Sequence, residues 1–548
     1  MQGHAELAAA LAQLTEMAQV RQPDDAVLAE FLPRYYEELP ESDVDDRKLE
    51  DVYAVAVAHL TLGRVREPGQ TIAKVLSPDR DRHGWQSTHS VLLVVADDVP
   101  FMVDTVRMVI ERHGLAIYLL VHPMLDVVRD ADHRVVAWSG DDAEMEAWTQ
   151  IELDRCDEAA GRALETEVTA AIAEVQGVVA DFAEMRDRLR SLADLDPLVP
   201  WLADEHFVLL GAADYDRGGD GTLTLRDGTA LGQLRSSSSL DPPGIPGDEP
   251  VVIARTDAVS TVHRAERPLC LMLRPPGSGV EHRFVGLLGS TAYRSSVYDI
   301  PTVGARAHDV LELTGAEPNS YLGRAVRNVT ETLPRDIVFE LDRDTLAEIV
   351  VDIVGLQERQ LVRVIDVPEP TGPWHTVLVY VPRSRFTGDL PDRVAALVDE
   401  AYGITGEGAT SRGLETVIGQ SSLARISLSV RPPTAIPCPT STSSGTRSTR
   451  CPRRGATGCC AASSSNGARS RLAGCTPRSR ATSRPSIASS STRAAPPATS
   501  TASPRCSPLT AQSCGRRSST NSTLQRTSGG SACIAVTVRS PSPTSCRC

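Results

Sequence analysis

Asp97-Asp98-Val99-Pro100 interrupts an apolar run and precedes a helical pattern. Backbone N–H groups at such a strand-to-helix turn can hold a small anion or an amino-acid carboxylate, while the aspartates meet an α-amino group. Asp97, Asp98 and Pro100 are therefore the candidate effector-binding residues; the competing reading is that Asp98 simply caps the helix. His263-Arg264 and His282-Arg283 each join an imidazole to a guanidinium, but no Asp or Cys stands at a diagnostic spacing, which predicts polar residues on a solvent face. Pro334-Arg335-Asp336 opens a helix and offers a domain-joining ion pair. Gly218-Gly219-Asp220-Gly221 lacks the spacing of a dinucleotide or phosphate loop and reads as a hairpin turn. Cys451, Cys459 and Cys460 fit no standard zinc spacing. No general base, nucleophile and oxyanion site assemble, so neither a catalytic nor a metal residue is assigned.

The elements that must position these groups follow from periodicity. Residues 1–62 carry helical apolar stripes, Leu7, Leu11 and Leu14 first, then Val52, Val55 and Leu60. Val91 to Val95 is a continuous apolar run suited to a strand buried on both faces. Met102, Val106, Val109 and Ile110 share one face of a helix that ends at Gly114. Strands follow at 116–121, 125–128 and 135–138, then a long helix from about 157 to 192. This order predicts a small α+β sandwich with helices on one face of an antiparallel sheet. Two further mixed units recur. The expected organisation is a helical segment over 1–80, a first module over 81–195, a second over 196–335, a third over 336–431, and a tail over 432–548.

The 548-residue composition is uneven along the chain. From Thr434 to Cys548 there is no Asp, Glu, Lys, His, Met, Phe, Trp or Tyr, while 16 arginines and 10 of the 12 cysteines crowd there. The first 433 residues therefore hold 40 basic and all 71 acidic side chains, a formal net charge of −31. Such an acidic body argues against nucleic acid or an anionic membrane as partner, because phosphate attraction needs clustered Lys and Arg. Only Cys156 and Cys270 fall within it, as expected of a reduced cytoplasmic protein. No signal peptide and no bilayer-length apolar run is visible.

Several segments, in order over about residues 1–431, resemble the large bacterial NAD-specific glutamate dehydrogenases. They are Ala96-Asp97-Asp98-Val99-Pro100 running on to Val106, Val121-His122-Pro123, and Trp201-Leu202-Ala203-Asp204-Glu205-His206. Later come Ser260-Thr261-Val262-His263-Arg264, Ser290-Thr291-Ala292-Tyr293-Arg294, Glu331-Thr332-Leu333-Pro334-Arg335-Asp336, and Leu378-Val379-Tyr380-Val381-Pro382-Arg383. The resemblance implies three ACT-like modules joined by helical connectors, homo-oligomers formed through them, and an amino-acid effector. It also implies the family reaction, oxidation of L-glutamate to 2-oxoglutarate and ammonia with NAD as hydride acceptor. The motifs of the family's catalytic domains do not occur in this chain, so none of its residues is expected to bind NAD and the chain alone is expected to be inactive. The competing class is a freestanding amino-acid-sensing protein. For the tail, out-of-frame translation fits better than native disorder or an RNA-contacting arm, since acidic and aromatic residues vanish together near 434.

Overall fold

The computed structural model describes residues 3–432 except 38, 40–46, 84, 219–221, 237–239, 241–244, 246, 357–358, 360, 405–411 and 419–421. The tail, its cysteines, most of the glycine-rich turn after Gly218, and part of the 235–250 loop lie outside the described residues. The fold is α+β, built on three sheets of six, six and four strands. Every ladder among the described strands is antiparallel.

The first sheet runs β1 (Ile72–Leu76), β2 (Ser90–Asp97), β6 (Glu144–Leu153), β4 (Met124–Arg129) and β5 (Val135–Trp138), with β3 (Ile117–Val121) also paired to β6. It has helices on both faces, not one. Val91 and Leu93 pack towards helix Leu49–Gly63, while Leu92, Val94 and Ala96 pack on helices Met102–Arg112 and Glu158–Ser191. The doubly apolar β2 requires this, because a face left bare would expose its Val and Leu side chains, about 1.5–3 kcal/mol each. Strand β1 falls in the stretch expected to be helical and pairs with β2 from Ile72 opposite Val95 to Leu76 opposite Val91.

Strand β6 has no counterpart in the sequence reading, although it pairs with β2, β3 and β4. Its buried residues include Glu146, Thr149, Gln150 and Glu152, so it shows no apolar run to recognise. Each carboxylate is met by arginine: Glu146 by Arg66 at 3.0 Å and by Arg129 at 2.7 Å, Glu152 by Arg47. Trp148 on the same strand sits with Phe31 and Trp138 in an aromatic cluster. Beside it, burial pushes the His59 imidazole down to about 3, so the ring stays neutral between the Tyr35 hydroxyl, 2.7 Å away, and the Val94 carbonyl.

The second sheet runs β10 (Val251–Arg255), β11 (Leu269–Leu273), β12 (Val280–Leu288), β7 (Phe207–Arg217) and β8 (Leu223–Leu225), with β9 (Leu231–Gly232) against β7. Leu269, Leu271 and Leu273 face one core and Cys270 and Met272 the other, as the two-residue strand period demands. Helix Glu158–Ser191 is shared. Leu164, Val168 and Ile172 pack on the first sheet, whereas Val175, Val178, Met185 and Leu189 pack on the second. Helices Val303–Leu313, Tyr321–Thr332 and Arg343–Val354 complete that second core. The third sheet runs β13 (Arg363–Pro368), β14 (His375–Pro382), β16 (Leu423–Val430) and β15 (Arg412–Val417), with helix Leu390–Tyr402 on its apolar face. Packing crosses three of the four positions where a boundary was expected, 80, 195 and 335.

Gly63 ends its helix directly against the Trp148 indole, and a Cβ built there overlaps the ring. Gly63→Ala is expected to lower stability by about 1–3 kcal/mol through overpacking. Urea unfolding measures it, and an unchanged midpoint would show that the aromatic cluster yields.

Candidate functional site

The 97–100 turn is described in full. Asp97 closes β2 and forms an ion pair with Arg66, the residue that also holds Glu146. Asp98 and Pro100 are exposed. Asp98 does not cap the helix: the N-cap position is Phe101, at φ 68°, and it makes no side-chain cap bond. The turn instead supports a contact between the first and second sheets. The Phe101 ring lies 4.4 Å from that of His263, whose own φ is 69°. His263 Nδ1 lies 3.2 Å from Asp104 Oδ2, and its backbone N–H donates to Thr105 Oγ1. The hydrogen bond from His263, more than the charges around it, holds the Asp104 carboxyl below its usual range.

The second histidine–arginine pair is not on a solvent face. Arg283 is 1% exposed, donates to Glu281 at 2.8 Å and lies over the Tyr215 ring. His282 meets Asp214 at 2.8 Å. Both histidines do have aspartate partners, but they come from distant chain positions that no local spacing reveals.

A cavity of about 440 Å³ opens where the second sheet, helix Arg335–Glu340 and the third sheet meet. Its walls include Arg255, Arg264, Glu266, Arg267, Tyr293, Arg335, Asp336, Thr376, Glu415, Ser427 and Ser429; Asp97, Asp98 and Pro100 are not among its lining residues. Three of the segments that carry the family resemblance (260–264, 290–294 and 331–336) supply Arg264, Tyr293, Pro334, Arg335 and Asp336 to it.

A buried ion cluster forms the floor. Arg255, at the end of β10, donates from Nε to both Glu340 oxygens at 3.1 and 3.0 Å, and its Nη2 reaches Glu369 at 3.1 Å and Thr376 at 3.0 Å. Arg267 forks onto Glu369 at 2.6 and 2.8 Å and lies 4.0 Å over the Trp374 ring. Asp336 stands 3.9 Å from Arg255, an ion pair between the stretches expected to be the second and third modules. Arg335 instead donates to the Ser295 carbonyl at 2.8 Å.

Burial, assisted by Glu369 and Glu415, raises the Asp336 pKa despite Arg255. Burial likewise raises Glu266, opposed mainly by Arg264. The Tyr293 phenol rises for the same reason, with Asp336 and Glu266 nearby. No helix among the described residues is long and apolar enough to cross a membrane. The described ladders are antiparallel, unlike the parallel sheet of a dinucleotide-binding fold.

Comparison with known proteins points one way. Residues 31–168 match the glutamate dehydrogenase ACT1 domain, and residues 300–359 match glutamate dehydrogenase helical motif 1. The chain is 29% identical over 469 residues to an NAD-specific glutamate dehydrogenase of Halomonas elongata, covering 77% of this chain and 28% of that protein. It is 29% identical over 441 residues to one of Pseudomonas aeruginosa, covering 73% and 27%. To one of Mycobacterium tuberculosis it is 28% identical over 362 residues, covering 61% and 22%. The chain therefore spans only a minor part of the length of these relatives.

The sign of the pH response at Asp336 follows from its raised pKa. Between the ordinary carboxylate range and the raised value, the unfolded chain has lost this proton and the folded chain keeps it, so rising pH removes stability. Asp336→Asn is therefore expected to gain stability relative to the parent as pH climbs towards neutrality. Paired denaturant titrations across pH read this, and a variant that falls further behind with rising pH would overturn it.

Proposed function

We propose that the chain belongs with the large bacterial NAD-specific glutamate dehydrogenases and forms their regulatory and assembly region. In the full-length enzymes the reaction would be oxidative deamination of L-glutamate, with NAD taking the hydride and water supplying the oxygen of 2-oxoglutarate. This region's part would be to hold subunits together and to transmit the state of a bound amino-acid effector. The observation that carries the reading is the match to an ACT1 domain and a helical motif of glutamate dehydrogenases, in a body whose described sheets are antiparallel throughout. The shared helix Glu158–Ser191 and the ion cluster at Arg255 support it, since each joins neighbouring sheets without a free linker.

Two tests follow. The purified chain mixed with L-glutamate and NAD is expected to form no NADH; a glutamate-dependent rise would place catalysis here and sink the reading. Light scattering is expected to give a mass above one chain, and a monomer at micromolar concentration would remove the assembly role. The exposed 97–100 turn remains the sequence's own proposal for the effector contact. Calorimetry with a panel of amino acids, repeated on Asp98→Asn, tests it: equal heats from both chains would take Asp98 out of the contact.

A further inference from the structure

The third sheet has a polar face that does not meet open water. Thr376, Arg425 and Ser427 alternate with Val377, Ile426 and Leu428, and the apolar set packs under helix Leu390–Tyr402. Glu415 stands opposite Ser427 in the ladder and therefore shares the polar face. That face forms one wall of the 440 Å³ cavity, against Asp336 of helix Arg335–Glu340 and Glu266 of the loop after β10. Ser427 is 5% exposed, and its hydroxyl has no hydrogen-bond partner. Burying a hydroxyl in this state costs free energy that a bound polar group would recover.

The charges around this space are unequal. Arg255 and Arg267 are engaged by Glu340 and Glu369, Arg335 by Glu331 and the Ser295 carbonyl, and Arg425 by Glu415 and the Thr332 carbonyl. Asp336 has only the long contact to Arg255, and its side chain keeps 32% of its surface open. Glu266 has Arg264 at 3.5 Å. An entering anion would add to the repulsion, whereas a cation would relieve it. No group of three metal-ligating side chains occurs among the described residues, so the carboxylates are too dispersed for a bare metal ion. A volume of this size lies towards the small end of the range of organic-ligand pockets.

We propose that this cavity binds a small organic cation, an ammonium or guanidinium compound, between Asp336 and Glu266 beneath the polar face of the third sheet. Its walls come from the second sheet, helix Arg335–Glu340 and the third sheet, so occupancy draws the three together. The inference rests on this joint alone and stands apart from the dehydrogenase reading.

The test is calorimetric titration of the full chain with agmatine, which carries cationic groups and no carboxylate, with L-alaninamide, whose one charge is an α-ammonium, and with acetate. Agmatine or L-alaninamide is expected to bind and acetate to give no heat; which of the two binds tells a side-chain type of cation from an α-ammonium. Asp336→Asn and Glu266→Gln are each expected to weaken that binding at least tenfold, while Asp141→Asn, exposed and outside the cavity, leaves it unchanged. If one acidic variant fails to fold by circular dichroism, the other decides. No heat from either cation, acetate binding in their place, or full affinity in a folded acidic variant would overturn the proposal.

Discussion

Arg255 and Arg267 carry their charges into a place where water scarcely reaches, and the arrangement around them follows from that requirement. Taking an ion out of water costs several kcal/mol, offset only where the partner geometry is close to ideal. Here Glu340 and Glu369 supply it, in forked contacts with guanidinium nitrogens at 2.6–3.1 Å. Because a guanidinium fork fixes direction as well as distance, Glu340 on its helix and Glu369 beside the third sheet are held in one register against the second sheet. The cavity is the space left above this floor. Asp336, at its rim, is a third carboxylate beside the two that Arg255 and Arg267 already hold.

The same device recurs in the first sheet. Glu146 lies at the centre of a fork from Arg129 and a contact from Arg66, and its second oxygen accepts the Trp148 indole N–H at 3.2 Å. A body with a formal net charge of −31 over its first 433 residues thus places arginine, with its planar array of donors, against the carboxylates it buries. Losing one such arginine would leave an uncompensated buried anion, a larger penalty than losing a surface pair.

What could be read from the chain divides along physical lines. Strand β2 and the helices Met102–Arg112 and Glu158–Ser191 were legible, because their burial is apolar and periodic. Strand β6 was not, since Glu146, Thr149, Gln150 and Glu152 break up its buried run and the arginines that meet its carboxylates come from other elements. The helix start near Asp98 was legible only in outline. A left-handed Phe101 moves the N-cap three residues on and leaves Asp98 in solvent. Pro334-Arg335-Asp336 does open a helix, but the cavity beside it draws residues from 255 to 429, and no local pattern encodes such a meeting. The Asp104–His263 contact, between residues 159 positions apart, was hidden for the same reason.

Helix Glu158–Ser191 has a mechanical consequence. Its 34 residues carry one apolar stripe that seats first on one sheet and then on the next, with no proline or unbonded turn along the way. At 1.5 Å per residue it is a rod about 51 Å long. A rod clamped at both ends behaves as a lever. A tilt of roughly 5° where it rests on the first sheet would carry its far end about 4 Å across the second. Strain entering near the amino terminus therefore has a stiff route into the middle of the body, and the sheets at its two ends should yield to heat or force as one mechanical element.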